Sequence, residues 1–444
     1  MSTVKQESAV RRILDMNAFD LRTAKSEGAV GRRLSNLGAL SVLFYQEPIV
    51  MSSAAGAWMI AADGKRYLDF YNNVPSVGHC HPKVVEAVSR QMAQLNTNMR
   101  YIVPIVDDYI EALKAKLPSQ LSNIVLTCSG SEANDLALRV ACSATGGTGF
   151  IVTEAAYHGN TAIVTNVSPS AIKRSNLLPD HVVAIPAPSR RIYGDDISEG
   201  FLSRVKDALS ELNRRGHRPA AFLFDSIFSS DGIFADPPGF LRQTIEEIRA
   251  AGALIIADEV QPGFSRTGSF WGFDRHGIVP DIVTGGKPMG NGFPMAFVAA
   301  KPFHLETFSA NSGYFNTFGG NPVAAAAGLA VLDIIENENF QENALNTGEM
   351  LRSGLQEIAE EDERIAEVRG AGLFIGVDMC IRGDSRVADP ALTAEIINAL
   401  REKGVLVGAA GKYGATFKLR PPLCLTHAEA SLFLDYFRSA LKEH

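Results

Sequence analysis

Two adjacent carboxylates and one lysine set the chemistry this sequence can do. The run Leu254-Ile-Ile-Ala-Asp258-Glu259-Val260-Gln261 reads as a buried strand ending in two acids. An unpaired buried carboxylate is costly, so one of the two needs a cationic partner. A protonated pyridine-type nitrogen would serve, and the acid would keep such a ring able to accept electrons; a strand-end acid capping a loop is the alternative. Downstream, Asp281-Ile-Val-Thr-Gly-Gly-Lys287-Pro-Met-Gly-Asn-Gly292 delivers a single lysine after a strand and two glycines. Glycine permits close backbone approach, and a desolvated lysine has a lowered pKa and attacks aldehydes. Asp258 and Lys287 lie 287 − 258 = 29 residues apart, a spacing that one strand–helix–strand step spans, so both can sit at neighbouring strand ends.

Two further segments suit the same site. Thr127-Cys-Ser129-Gly130-Ser131-Glu132-Ala-Asn134 follows an apolar run and opens a helix. Its hydroxyls and first-turn N–H groups can hold an anion such as a phosphate, or simply cap the helix. Ala156-Tyr157-His158-Gly159 places an aromatic just past another strand, where it can stack on a flat ring or fill the core. Competing motifs are poor. Gly370-Ala-Gly372-Leu-Phe-Ile-Gly376 has the wrong spacing for a dinucleotide loop and leads into a strand. No Gly-Lys pair is followed by Ser or Thr, so there is no P-loop. His79-Cys80-His81 lacks further ligands at zinc-site spacing, so no metal is expected and a hydrogen-bonded turn is preferred.

The elements that must position these residues alternate. Apolar runs at 124–126, 149–152, 182–185, 221–224, 254–257 and 282–284 are interleaved with helical stretches such as 83–95, 132–144, 201–214 and 239–251. This reads as α/β with a mostly parallel sheet, whose ligands lie beyond the carboxyl ends of the strands. Short strands at 49–51, 58–60 and 67–70, with an Asp63-Gly64 turn, precede it; residues 1–40 read as helical and partly exposed. After about 330 helices dominate, with strands expected at 373–379, 404–407 and 416–419. The expected division is 1–70, an N-terminal segment joining the small domain; 71–325, the large domain; and 326–444, the smaller α+β domain.

The 444 residues are 46% hydrophobic and 20% charged, ordinary for a globular chain able to bury a large core. A net charge of −7 carries no basic excess for nucleic acid, and no apolar stretch is long enough for a membrane span. The first thirty residues are charged throughout, which speaks against a secretory signal. Five scattered cysteines without a CxxC pair fit a reducing cytoplasm.

Taken in order, the four chemical segments resemble the class III aminotransferase subgroup of fold type I pyridoxal-phosphate (PLP) enzymes, from Gly78-His-Cys-His-Pro82 to Pro421-Pro-Leu423. The resemblance implies a seven-stranded, mostly parallel sheet in the large domain and a small domain built from both termini. It implies pyridoxal 5'-phosphate as cofactor, with Lys287 forming the Schiff base and transferring protons. Asp258 would pair with the ring nitrogen, with Val260 on one ring face and Tyr157, followed by His158, on the other. Ser129, Gly130 and Ser131 would hold the phosphate, Gln261 would lie near the ring hydroxyl, and Asp225 would line the site. Asn316-Thr317-Phe-Gly-Gly320 resembles the segment that brings a Thr to the phosphate of the neighbouring subunit, which implies a homodimer with shared sites, or a tetramer.

Two positions depart from the common pattern. Where many members carry an Arg three residues before Pro421-Pro422, this chain has Lys418, with Arg420 two residues later. Lysine is a point charge that suits phosphate better than it replaces a bidentate fork. A Glu typical after the strand near 222–224 is Asp225 here. Asn72-Asn73-Val74-Pro-Ser-Val-Gly78-His-Cys-His-Pro82, Leu95-Asn-Thr-Asn98-Met-Arg100-Tyr101, Tyr314-Phe-Asn316-Thr-Phe-Gly-Gly320 and Lys418-Leu-Arg420-Pro-Pro-Leu-Cys424 look like the ethanolamine-phosphate phospho-lyases of this subgroup. The expected reaction is therefore elimination of phosphate from phosphoethanolamine, a small phosphorylated amine, with Arg100, Lys418 and Arg420 around the substrate phosphate. The alternative is an aminotransferase acting on an amine or ω-amino acid.

Overall fold

The computed structural model describes residues 16, 19–20, 27–172 and 178–444. Of the helical segment expected in residues 1–40, the helix Gly28–Leu37 is seen, and most of the rest lies outside the described residues. Strands β1 (Met51–Ala55), β2 (Trp58–Ala61) and β3 (Arg66–Asp69) form an antiparallel meander. Gly64 takes a positive φ of 88° in the β2–β3 turn, and Asp63 Oδ1 accepts the Lys65 N–H at 2.9 Å. The first of these strands lies later than the apolar run at 49–51, because β1 is mostly exposed and is specified by its pairing with β2 rather than by burial.

The central sheet has seven strands: β4 (Asn123–Thr127), β5 (Gly149–Thr153), β6 (Val182–Ile185), β7 (Pro219–Asp225), β8 (Leu254–Asp258), β9 (Ile282–Gly285) and β10 (Ala296–Ala300). Their order is β4-β10-β9-β8-β7-β5-β6. All run parallel except β10, which is antiparallel to both its neighbours, β4 and β9. The middle strands are apolar without alternation because both faces are covered. Leu223 and Ile256 pack with Leu136 and Val140 of the helix Gly130–Thr145. Phe222 and Ile255 belong to the main core with Val205 of the helix Ile197–Arg214 and Ile248 of the helix Arg242–Ala250.

The remaining strands are β11 (Ile365–Ala371), β12 (Phe374–Ile381), β13 (Asp384–Ala388), β14 (Val405–Leu406), β15 (Gly408–Ala410) and β16 (Thr416–Leu419). They form a sheet of order β11-β12-β16-β15, with β13 on β12, while β14 pairs in parallel with β3. The chain thus returns to its N-terminal sheet 337 residues later, Val405 opposite Leu68 (405 − 68 = 337). The boundary expected at 325/326 falls inside the unbroken helix Pro322–Asn337. Gly370 and Gly372 lie at the β11–β12 hairpin, not in a dinucleotide loop.

Candidate active site

Register places the acids side by side. Asp225 is opposite Asp258 across β7 and β8, and Asp258 is opposite Thr284 across β8 and β9. Three residues past Thr284 the chain delivers Lys287, at the start of the short 3-10 turn Lys287–Gly290. The neighbouring-strand placement expected for Asp258 and Lys287 is therefore observed.

Asp258 is buried and held by three donors. Its Oδ2 accepts Asn134 Nδ2 at 2.9 Å and lies 2.7 Å from His158 Nδ1; its Oδ1 accepts the Val260 N–H at 3.1 Å. Asn134 is oriented in turn, donating to the His158 carbonyl at 2.7 Å and accepting the Thr284 hydroxyl at 2.6 Å. Such outer contacts fix the carboxylate while leaving a lone pair of Oδ1 for a cationic N–H. Glu259 serves differently. Ser226 Oγ donates to it at 2.6 Å, and the N–H groups of Gly272 and Phe273 at 2.7 and 3.1 Å. It clamps the 272–273 turn without a cation, and burial raises its pKa to about 8.

Lys287 has the positive φ of 34°, rare for a residue with a side chain. Such strain persists where the surrounding structure enforces it, commonly at functional sites. Burial, then the like charge of Arg420, lowers its pKa from 10.5 to about 8, with Asp258 and Asp225 opposing. A share of neutral amine is therefore present near neutral pH.

A cavity of about 310 Å³ joins these groups; its walls include Ser129, Gly130, Ser131, Tyr157, His158, Asp225, Asp258, Val260, Gln261 and Lys287. Ser129 caps the helix Gly130–Thr145, its Oγ accepting the Glu132 N–H at 3.3 Å. The first-turn N–H groups of Gly130 and Ser131, unlike that of Glu132, are left to face an anion favourably. The cup depends on missing side chains. A Cβ on Gly130 would sit 2.9 Å from Val260 Cγ2, and one on Gly159 2.5 Å from Ser131 Oγ. An anion cup, a valine and a tyrosine on the cavity wall, a carboxylate and a lysine fit a flat, phosphorylated, cationic ring bearing an aldehyde.

Behind this cavity lie two basic side chains, Lys418, which is buried, and Arg420, which is half-buried. Lys418 Nζ is 3.4 Å from Ser229 Oγ and 5.4 Å from the Phe374 ring centroid. Ser229 also donates to Asp225 Oδ2. Burial and Asp258 raise the pKa of Asp225, while burial and Arg420 pull that of Lys418 well down. Arg420 Nη1 donates to Gln261 Oε1 at 2.8 Å and to Asn73 Oδ1 at 3.4 Å, over the Tyr71 ring at 4.9 Å; its Nε is buried without an acceptor. Gln261 is thus engaged by Arg420. Lys418, Arg420 and Tyr71 share a small void of about 40 Å³ closed by Met16, Phe44 and Tyr45.

Two expected residues are not brought here within one chain. Arg100 is exposed, with its guanidinium 4.5 Å from the Phe315 ring, so it is no part of this chain's own cation cluster. Thr317 is exposed on the loop before Gly319 and lies outside the cavity. Conversely, Asn134, Thr284, Ser229 and Tyr71 support the site through contacts that the sequence does not announce. Only Asn134 carried a signal, as a polar residue one helical turn past the Ser-Gly-Ser cup. Among the described residues no cluster of three metal-ligating side chains exists. His79 instead binds Asp69 Oδ2 at 2.7 Å, as the hydrogen-bonded turn required.

The aminotransferase class-III family matches residues 44–441. The alanine–glyoxylate aminotransferase 2 homolog 2 of Arabidopsis thaliana is 38% identical, covering 91% of this chain and 85% of that protein. The ethanolamine-phosphate phospho-lyase homolog 1 of Caenorhabditis elegans is 35% identical, covering 90% of each. A phospholyase from Arthrobacter, solved in complex with phosphoethanolamine, superposes with a TM-score of 0.90 at 39% identity, over 94% of this chain and 100% of that one. The chain belongs to the class-III aminotransferase family, whose fold type I enzymes work with pyridoxal 5'-phosphate.

Proposed function

We propose that the protein eliminates phosphate from O-phosphoethanolamine, giving acetaldehyde, ammonia and inorganic phosphate. The observation that carries this reading is the pair Lys418, buried, and Arg420, half-buried, beside the cavity with no carboxylate within ion-pairing distance among the described residues. A dianion can pair with the Arg420 guanidinium and also favour the protonated form of Lys418; a carboxylate brings charge for one of them. The phosphoethanolamine complex of the Arthrobacter relative supports the same choice.

Ser129, Gly130, Ser131, Tyr157, Asp258, Val260 and Lys287 would hold the cofactor. When bound, it withdraws electrons from the amine-bearing carbon of the substrate. Asp258, kept in place by Asn134 and His158, would keep positive charge on the cofactor's ring nitrogen. Lys287 Nζ takes the proton from the amine-bearing carbon. Arg420 and Lys418 orient the phosphate and stabilise it as the C–O bond breaks and its electron pair leaves with oxygen. The two-carbon enamine remaining then takes up water, yielding acetaldehyde and ammonia. Thr317 and Arg100, exposed in one chain, would complete the site of a second copy, which makes the working unit a homodimer. Exposed Ile102 and Phe318 nearby supply apolar surface for that contact.

The second reading is amino transfer to a 2-oxo acid, favoured by the similarity to alanine–glyoxylate aminotransferase 2 relatives. Purified holoenzyme given phosphoethanolamine and no oxo acid separates the two. Release of phosphate and acetaldehyde supports the lyase. No release, together with amino transfer to pyruvate, reverses the order.

A further inference from the structure

Arg266 stands outside both the cofactor cavity and the small void, yet it is only 1% exposed. None of its partners is acidic. Its Nη1 donates to the carbonyls of Leu373, at 3.2 Å, and Pro421, while Nη2 is buried without an acceptor. The nearby Asp69 is committed elsewhere, to the N–H groups of Tyr71 and Asn72 and to His79. A buried guanidinium without a carboxylate is among the costliest groups a fold can contain. A methionine would fill similar space without that cost, so a purely space-filling role does not account for arginine here.

Its surroundings point to Arg420. Pro421 is the next residue, and the Arg420 N–H donates to the Phe70 carbonyl at 3.0 Å. The backbone bearing Arg420 is therefore pinned on one side by Phe70 and on the other by Arg266. Arg266 is itself anchored. The Leu373 N–H donates to its carbonyl at 3.0 Å, and Gly372 approaches so closely that a Cβ there would lie 2.7 Å from that oxygen. The loop carrying Arg266 follows directly from Asp258 and Gln261, so one short segment touches both the cofactor cavity and the support of Arg420.

We infer that Arg266 is the positioning residue of the substrate-anion subsite: it holds the Pro421 carbonyl so that Arg420 points at the anion, and its own charge reinforces that subsite from behind. This rests on Arg420 meeting the substrate anion, as proposed above.

The test compares wild-type holoenzyme with Arg266→Met and Arg266→Lys, each also combined with Arg420→Lys. Phosphate release gives kcat and KM for phosphoethanolamine, competition gives the inhibition constant of inorganic phosphate, and visible absorbance reports the cofactor. Arg266→Met should raise KM and the inhibition constant by about 10-fold, with kcat changed less than about 3-fold and cofactor absorbance intact. Arg266→Lys, able to reach one carbonyl and keeping the charge, should fall between. In the Arg420→Lys background the effect of either substitution should shrink, because both act through one group. Unchanged KM and inhibition constant with a lowered melting temperature would overturn the inference and leave Arg266 as scaffold. If Arg266→Met does not fold, Arg266→Lys decides by the same constants. If wild type transfers amino groups and releases no phosphate, the function proposed above fails; the KM of pyruvate then replaces that of phosphoethanolamine, with the same expected shift.

Discussion

Replacing Lys287 with methionine should change the stability of the cofactor-free protein in a pH-dependent way. The native pKa of about 8, against 10.5 for the free side chain, amounts to about 3.4 kcal/mol at about 1.36 kcal/mol per unit. The sign follows from proton counts. Between about 8 and 10.5 the unfolded chain binds a proton at this lysine that the native chain does not, so stability rises with pH across that window. Below it the native state carries the full penalty of a buried ammonium; above it none remains. Lys287→Met lacks the penalty at every pH. Its advantage over wild type should therefore narrow by about 2 kcal/mol between pH 7.5 and 9.5, the part of the titration falling in that interval. Titrating groups distant from this site are common to both proteins and cancel in the difference; Lys418, whose pKa the Lys287 charge lowers, does not cancel fully. Urea unfolding of both apo-proteins, followed by far-UV circular dichroism at the two pH values, measures it. A difference that stays constant with pH would refute the claim that Lys287 is desolvated, and with it the account of its reactivity.

Three further outcomes are expected. Asp258→Asn keeps the shape but turns an amide N–H toward the donating Asn134 Nδ2, and it removes the ring's counter-charge. Phosphate release should fall by about 100-fold or more, from losing one partner of a buried charge pair, with the melting temperature reporting that the fold persists. Gly159→Ala forces a side chain onto a φ of 141° and against Ser131; the cofactor dissociation constant, measured by absorbance on reconstitution, should rise by about 10-fold or more. Ile102→Glu with Phe318→Glu places charges on side chains 92% and 71% exposed in a single chain. Light scattering should show monomers, and activity should be lost with the dimer.

What the sequence reveals of this site follows strand by strand. Asp258 and Lys287 are legible together because parallel strands fix what lies beside a strand end at a given spacing. Which of the two acids faces the cavity is not, since Asp258 and Glu259 are separated only by the alternation of the chain. The Ser-Gly-Ser cup is legible through helix-start chemistry. The role of Asn134 is not, because its hydroxyl donor, Thr284, is 150 residues away. Strand β10 escapes because Ala296-Phe-Val-Ala-Ala carries little β preference and is specified by the neighbours on either side. Arg266 escapes for a similar reason: its partners are main-chain carbonyls, and any residue type at 373 or 421 would offer one.

The parallel pair β3–β14 and the bond from Arg420 to Phe70 have a consequence for biosynthesis. The cup, Tyr157, Asp258, Lys287 and strand β10, which joins β4 to β9, all precede residue 301 and can come together while the remainder is still being translated. The corner holding Tyr71 and Arg420 cannot close until residue 420 has left the ribosome, because its two halves lie 420 − 71 = 349 residues apart along the chain. A nascent molecule can therefore acquire its cofactor before it can grip a substrate. Truncations near the C-terminus should consequently yield yellow but inactive protein rather than colourless protein.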